Sequence, residues 1–111
     1  MRDYTKIAAW EYADDLTVMI YEVTKYFPQE ELYGLTSQLR RAAYSVPSNI
    51  AEGSARHSLK DYLHYLYVAR ASLTEVKYFV HLSSRLEYVN GETQNKLSKQ
   101  IKSTFSRLHG L

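Results

Sequence analysis

The side chains that could bind a metal ion or carry out covalent chemistry lie along this chain without the spacing that such sites need. His57 and His64 are seven residues apart. That is about 10 Å along a helix, which is too far for both to bind one metal ion. His81 and His109 have no partner at a ligand spacing, and the sequence contains no cysteine. We therefore expect no metal site, no disulfide and no thiolate catalysis.

The sequence motifs of common enzymes are also missing. There is no glycine-rich phosphate loop and no nucleophile elbow around a serine. The adjacent carboxylates Asp14-Asp15 and Glu30-Glu31 would point about 100° apart on a helix, so neither pair could converge on one reacting atom. We expect a protein that is not an enzyme and that uses no cofactor and no small-molecule substrate.

The composition indicates a packed globular protein. The 111 residues are 45% hydrophobic and 23% charged, which fits one domain with an apolar core. No apolar run approaches the roughly 20 residues needed to cross a bilayer. Residues 1–4 lack the apolar stretch that is typical of a signal peptide. We expect a cytoplasmic protein without membrane contact.

Charge is divided unevenly between the two halves of the chain. Residues 1–55 contain five Lys or Arg and eight Asp or Glu, a net charge of −3. Residues 56–111 contain nine and four, a net charge of +5. One small domain could therefore carry an acidic surface and a basic one. The alternative is that these charges belong to ordinary solvated helix faces.

Apolar residues recur at alternating steps of three and four along most of the chain, which predicts four helices. These helices span about residues 5–26, 36–53, 58–86 and 92–108. Short connections between them predict an all-α fold. We expect an antiparallel up-down-up-down four-helix bundle, with a single domain over residues 1–111.

Capping and helix-breaking residues mark the ends of these helices. The predicted N-cap of the first helix is Asp3 or Thr5, and that of the second is Thr36. Ser58, followed three residues later by an aspartate, is typical of a capping box and starts the third helix. Pro47 lies inside the apolar pattern of the second helix, so we expect a kink there.

The third predicted helix is apolar on two sides. One stripe includes Leu59, Leu66 and Val76, and a second stripe on roughly the opposite side includes Tyr67 and Tyr78. Only one side of a helix in a four-helix monomer faces the core, so the second stripe predicts an interface between copies of the chain. The 11 tyrosines fit such contacts, because each has an apolar ring and a polar hydroxyl.

The second predicted helix carries a polar stripe opposite its apolar residues. Its members are Gln38, Arg41, Ser45, Asn49 and Glu52. Solvated helix faces favour Lys and Glu, whereas this stripe consists mostly of amides and a hydroxyl. It is either a solvated face or a polar contact between helices or subunits.

Arg70 lies close in phase to Leu66 and Leu73 on the apolar stripe of the third helix. Because an unpaired buried charge is very costly, Arg70 must extend to solvent or pair with an acidic side chain. Glu52 and Glu11 are the candidate partners. We favour a structural ion pair between Arg70 and Glu52 that fixes the register of two helices.

Several stretches of the sequence resemble one known family. They are FP at residues 27–28, YGLTSQLRRAA at 33–43, SVPSNIAEG at 45–53 and ARASL at 69–73. They look like the "four helix bundle protein" family, which is encoded by intervening sequences in bacterial 23S rRNA genes. Val46 and Ser48 replace the Ile and Ala more usual in that family.

The resemblance implies a homo-oligomer, a ring-shaped pentamer, with no established enzymatic activity. The family is similar to the accessory variability determinant protein of diversity-generating retroelements, a pentamer that binds nucleic acid and a reverse transcriptase. The expected partners are other copies of this chain and, as an alternative function, structured RNA or a nucleic-acid-processing protein. By this resemblance the candidates for phosphate contact are Arg40, Arg41, Arg56 and Lys60.

Overall fold

Four α-helices make up most of residues 2–110, which are the residues that the computed structural model describes. The helices are α1 (Ala8–Thr24), α2 (Leu35–Ser54), α3 (Leu59–Arg85) and α4 (Gly91–His109). Short 3₁₀ turns at Tyr4–Lys6 and Gln29–Glu31 precede α1 and α2. Residues 2–110 contain no β-strand. The predicted all-α four-helix fold is confirmed.

Each helix of the bundle packs against two neighbours. α1 and α3 both contact α2 and α4, whereas the diagonal pairs do not meet within residues 2–110. Thr17 Oγ1 on α1 donates to Ala43 O on α2 at 3.1 Å. Nearer the end of α1, Arg40 Nε donates to Thr24 Oγ1 at 2.8 Å, so α2 runs back along α1. This connectivity puts α1 and α2 on one side of the bundle and α3 and α4 on the other.

The core is formed by the apolar residues that recur at helical spacing and face the bundle axis. Val23 on α1, which the sequence also predicts to point inward, is only partly buried. The other residues predicted to point inward on α1 and α2 are fully buried, because removing their apolar surface from water stabilises the fold. They are Ala9, Ala13, Leu16, Ile20, Leu39, Ala43, Val46 and Ile50. Leu73 and Val76 of α3 and Leu97 and Ile101 of α4 complete this core.

The first helix begins later than the sequence predicts. Asp3 Oδ1 accepts a hydrogen bond from the backbone N–H of Thr5 at 3.1 Å, but it caps the 3₁₀ turn and not α1. The N-cap of α1 is Ile7, whose side chain cannot accept a hydrogen bond. At α3 the predicted cap is confirmed, because Ser58 Oγ accepts from the N–H of Asp61 at 3.0 Å.

The start of α2 is stabilised by Glu31 and not by Thr36, the predicted N-cap. Thr36 lies inside the helix and is buried. Glu31 Oε1 accepts from the backbone N–H of Leu35 at 3.0 Å, so a side chain outside the helix satisfies one of its unpaired amides. The second oxygen of Glu31 accepts from Tyr88 Oη at 2.9 Å, which ties the α3–α4 connection to the start of α2.

The hydrogen bond to Glu31 raises the pKa of Tyr88, with smaller contributions from burial and from the charges of Glu31 and Glu30. All of these favour the neutral phenol over the phenolate.

The second helix continues through Pro47, which is buried, without a break between Leu35 and Ser54. The apolar phase is kept on both sides of the proline, since Val46 and Ile50 are both fully buried. The kink at Pro47 stays a prediction.

α2 and α3 approach each other more closely than ordinary side chains would permit. Gly53 is buried near the end of α2, and a Cβ atom there would lie 2.8 Å from the Cβ of Tyr65. Further along the same contact, the hydroxyl oxygens of Ser45 and Ser72 are 2.9 Å apart and share a hydrogen bond. Small residues at these positions therefore set the distance between the two helices.

Replacing Gly53 by Ala should destabilise the protein even though alanine favours helix. The new methyl would meet the Cβ of Tyr65, which cannot rotate away because it is attached to the α3 backbone. Overpacking of this kind costs about 1–3 kcal/mol, against a gain of up to about 1 kcal/mol in helix propensity. We expect the free energy of unfolding to fall by about 1–2 kcal/mol in urea denaturation at fixed protein concentration.

Gly91→Ala is the matched control, because nothing lies within 4 Å of a Cβ at that position. It should change the free energy of unfolding by less than about 0.5 kcal/mol. Equal stability of the two variants would contradict the close approach of α2 and α3.

Replacing Glu31 by Gln should lower the pKa of Tyr88 toward its ordinary value of about 10, because the hydrogen bond to a carboxylate and the neighbouring negative charge are both lost. With the pKa raised in the folded state, the Tyr88–Glu31 interaction stabilises the fold below about pH 10. This contribution is lost as pH rises through the folded-state pKa. An alkaline titration of the Tyr88 ring resonances by NMR measures the shift. Glu75→Gln is the control, and an unchanged Tyr88 titration in Glu31→Gln would contradict the assignment.

Candidate interaction surfaces

The polar stripe predicted on α2 divides between a groove and a contact inside the bundle. Gln38, Arg41 and Ser45 line a groove of about 360 Å³ between α2 and α3. The other lining residues are Ala42, Tyr44, Ser72 and Glu75. Arg41 and Glu75 are both exposed in this groove, so it presents one positive and one negative side chain.

Ser45 is the residue of that stripe that hydrogen-bonds to another helix, and Asn49 supports it from within α2. Asn49 Nδ2 donates to the carbonyl oxygen of Ser45 at 2.7 Å and to its hydroxyl oxygen at 3.0 Å. The same hydroxyl pairs with Ser72 on α3, so the alternative of a polar contact between helices holds here. Glu52, at the other end of the stripe, is exposed and forms an ion pair with Arg56.

The predicted ion pair between Arg70 and Glu52 does not occur in residues 2–110. Glu52 Oε1 lies 3.3 Å from Arg56 Nη2, one turn further along the chain. Arg70 is exposed on α3. Glu11, the alternative partner, is exposed on α1. A solvated guanidinium needs no partner, so the cost of burial that motivated the prediction does not arise.

Large apolar side chains are exposed along the outer face of α3. Leu59 is 63% exposed, Leu63 48%, Tyr67 76% and Tyr78 56%. The first three are spaced by one helical turn, so they lie in one row, and Tyr78 lies farther along the same face. Leu59 was predicted to face the core, and that prediction is wrong. Tyr67 and Tyr78 are on the surface, where an interface with another copy requires them to be.

Arg40 is held within the bundle by the end of α1. Its Nε donates to Thr24 Oγ1 at 2.8 Å, and its Nη2 donates to Tyr21 O at 3.5 Å. The guanidinium also stacks on the ring of Tyr21, 4.6 Å from the centroid. These contacts give Arg40 a structural role that the sequence did not indicate.

Arg56 is likewise engaged by its neighbours. Besides its ion pair with Glu52, Nη2 donates to Tyr65 Oη at 2.6 Å, and the guanidinium lies 4.9 Å from the Tyr65 ring centroid. Lys60, the fourth candidate for phosphate contact, is exposed in the first turn of α3. Arg40 lies on α2 and Arg56 just beyond its end, roughly 24 Å away at 1.5 Å per residue, so the structure does not bring the four candidates into one patch.

Arginine–tyrosine stacking occurs at four places among residues 2–110, and sequence reasoning missed it. The pairs are Arg2–Tyr62, Arg40–Tyr21, Arg56–Tyr65 and Arg107–Tyr12, with guanidinium-to-centroid distances of 3.9, 4.6, 4.9 and 4.5 Å. Such contacts contribute about 0.5–1 kcal/mol each at exposed sites. No local sequence signal could reveal the pair formed by residues 12 and 107, which are 95 positions apart. Several of the tyrosines thus join elements of one molecule.

The described residues contain neither a metal-binding cluster nor a membrane-spanning segment. No group of three or more His, Cys, Asp or Glu side chains in residues 2–110 is arranged to hold a metal ion. No helix in that range is both long and apolar enough to cross a membrane.

Comparison with family models places this arrangement among known proteins. The model of the 23S rRNA-intervening sequence protein family matches residues 5–110. The chain belongs to this family. The match extends from the 3₁₀ turn before α1 to the residue after α4, so it covers the whole bundle. No curated protein sequence matches the chain significantly.

A solved structure shares the fold of this member of the 23S rRNA-intervening sequence family. It is a protein of unknown function from the S23 ribosomal protein family of Bacteroides thetaiotaomicron. The TM-score is 0.84 at 20% sequence identity, and the match covers 91% of this chain and 94% of that one. At this identity the likeness shows the fold alone. Similarity to the retroelement accessory protein stays a prediction.

Proposed function

We propose that this protein acts without catalysis, as a cytoplasmic homo-oligomeric helical bundle whose copies meet through the outer face of α3. The observation that carries the proposal is the row of exposed apolar side chains formed by Leu59, Leu63 and Tyr67, with Tyr78 beyond it. Contiguous apolar surface on a soluble protein marks an interaction site more often than single scattered residues do. Tyrosine is also enriched at interfaces between proteins.

The groove between α2 and α3 supplies polar groups beside this face. Arg41 and Glu75 line it, and neither takes part in an ion pair within residues 2–110. In an assembly each could pair with an opposite charge on the next copy. Partly buried charge pairs of this kind fix the relative orientation of two surfaces more than they strengthen the contact.

The uneven distribution of charge favours contact between two different surfaces, the acidic side of one copy and the basic side of the next. The α1–α2 side derives from the acidic half of the sequence, and the α3–α4 side from the basic half. A contact between unlike surfaces repeats from copy to copy and closes into a ring when the rotation permits. The proposal of five copies rests on the family resemblance.

Leu63→Glu should dissociate the assembly while leaving each copy folded. Leu63 is 48% exposed, so a carboxylate there remains hydrated in the free bundle but would be buried in the interface. Gel filtration with light scattering at tens of micromolar should give a multiple of 12.9 kDa for the original protein, five-fold for a pentamer. The variant should have the mass of a single chain.

Leu86→Glu is the matched control, because Leu86 is 45% exposed but lies at the C-cap of α3, outside the row of Leu59, Leu63 and Tyr67. It should leave the mass of the assembly unchanged. A mass of 12.9 kDa for the original protein would exclude the proposal. An oligomer that withstands Leu63→Glu would exclude the α3 face as its interface.

A second candidate function is contact with structured RNA, as an accessory to a nucleic-acid-processing protein. The observation that favours it is the excess of nine Lys or Arg over four Asp or Glu in residues 56–111, which form the α3–α4 side. A ring would repeat this basic side around one axis, so a net charge of +2 per chain is compatible with binding.

Lys60→Ala should weaken RNA binding and reduce its dependence on salt. We expect the slope of log affinity against log salt to fall in magnitude by about one for each phosphate group that the variant no longer neutralises. The measurement is a gel-shift series with 23S rRNA fragments at increasing salt. Lys25→Ala is the control, because Lys25 lies at the C-cap of α1 and pairs with Glu22. Absence of binding at low salt, or binding that is indifferent to salt, would contradict this function.

A further inference from the structure

A second groove lies between α3 and α4, on the side of the bundle away from α1 and α2. It has a volume of about 450 Å³. Its lining residues are Lys77, Val80, His81, Gln94, Ser98, Ile101, Lys102 and Phe105. The proposed assembly does not use this groove, although its rim lysines belong to the basic side invoked for contact with RNA.

The floor of the groove is apolar. Val80 and Ile101 are each 3% exposed, and Phe105 is partly buried against the same core. These side chains come from both helices, so the floor is fixed by the packing of the bundle. Because Val80 and Ile101 are already almost fully buried, the protein surface that an apolar ligand would cover belongs mainly to Phe105 and to the stems of the lining lysines, and its removal from water favours binding.

The rim of the groove is cationic. Its positive charge comes from Lys77 and Lys102, and His81 lies beside them; all three are exposed, and no Asp or Glu lines the groove. None of the three takes part in a salt bridge or side-chain hydrogen bond within residues 2–110. Lys77 lies on α3 and Lys102 on α4, so an anion between the helices could contact an ammonium group from each side.

Gln94 adds an oriented donor at one end. Ser84 Oγ donates to Gln94 Oε1 at 2.8 Å, which uses the carbonyl oxygen of the side chain. Its amide nitrogen is therefore the group left to donate toward an acceptor, and the hydroxyl of Ser98 lies in the same lining. A few polar groups around an apolar surface of this size are typical of small-molecule sites.

We propose that the α3–α4 groove binds a small amphipathic anion, an aliphatic or aromatic body that carries one carboxylate or phosphate group. The apolar body lies on Val80, Ile101 and Phe105, and the anionic group lies between Lys77 and Lys102. The molecule is bound as a ligand and is not converted. Because the groove is formed within one copy of the chain, the proposal does not depend on the assembly through α3.

The test is isothermal titration calorimetry of the purified protein with decanoate and with decyl phosphate, each below its micelle concentration. Decanol, which lacks the charge, and acetate and inorganic phosphate, which lack the chain, are the comparison ligands. We expect saturable binding of at least one amphipathic anion and at least about tenfold weaker binding of all three comparison ligands. The relative affinities of decanoate and decyl phosphate identify the head group that the site prefers.

Two variants locate the binding. Lys102→Met keeps most of the apolar stem but removes the charge, and it should weaken binding about tenfold. Lys99→Met is the matched control, because Lys99 is exposed on α4 and does not line the groove, and it should leave binding unchanged. Ser98→Trp fills the groove from an exposed position and should abolish binding without loss of the fold.

The proposal is overturned if neither amphipathic anion binds, or if decanol binds as tightly as they do. Equal binding of inorganic phosphate would also overturn it, because the site would then be a plain basic surface of the kind that nucleic acid uses. Equal weakening of binding by Lys99→Met and Lys102→Met would also overturn the proposal, because binding would then follow the general charge of α4 and not the groove. The circular dichroism of each variant separates loss of binding from loss of structure.

Discussion

The close approach of α2 and α3 is the constraint on which the rest of the bundle depends. Gly53 leaves room for the backbone of α3 at the end of α2, and Ser45 and Ser72 meet directly further along. At this contact the guanidinium groups of Arg2 and Arg56 stack on the rings of Tyr62 and Tyr65 of α3. The N-terminal segment is fixed at the same place, because the backbone N–H of Arg2 donates to Ser54 O at 3.1 Å.

Sequence patterns predict the helices well because helix formation and burial both follow local spacing. The buried stripe of Leu39, Val46 and Ile50 on α2 can be read directly from steps of three and four. The start of α2 could not be predicted in this way. Its stabilising group, Glu31, belongs to a preceding turn whose conformation depends on Tyr88 in the α3–α4 connection. A threonine at a good capping position was therefore a misleading signal.

The candidate site was less predictable than the fold, because a side chain's role depends on contacts between distant elements. Arg40 and Arg56 were candidates for phosphate contact, yet both stack on tyrosines and hydrogen-bond within the chain. Arg70 was expected to pair with Glu52, since its phase is near that of Leu66, but a helix turns by about 100° per residue and a small phase difference decides exposure. Lys77 and Lys102 line the same groove only because α3 and α4 pack together.

The division of charge between the α1–α2 side and the α3–α4 side gives each molecule an electric dipole perpendicular to its long axis. Near any polyanion the protein is turned so that α3 and α4 approach first, before short-range contacts form. Asp14 and Asp15, exposed on α1, then point outward and repel further negative charge. A surface covered by this protein would expose its acidic α1–α2 side, which attracts the basic side of a further copy, so charge alone does not limit coverage to a single molecular layer.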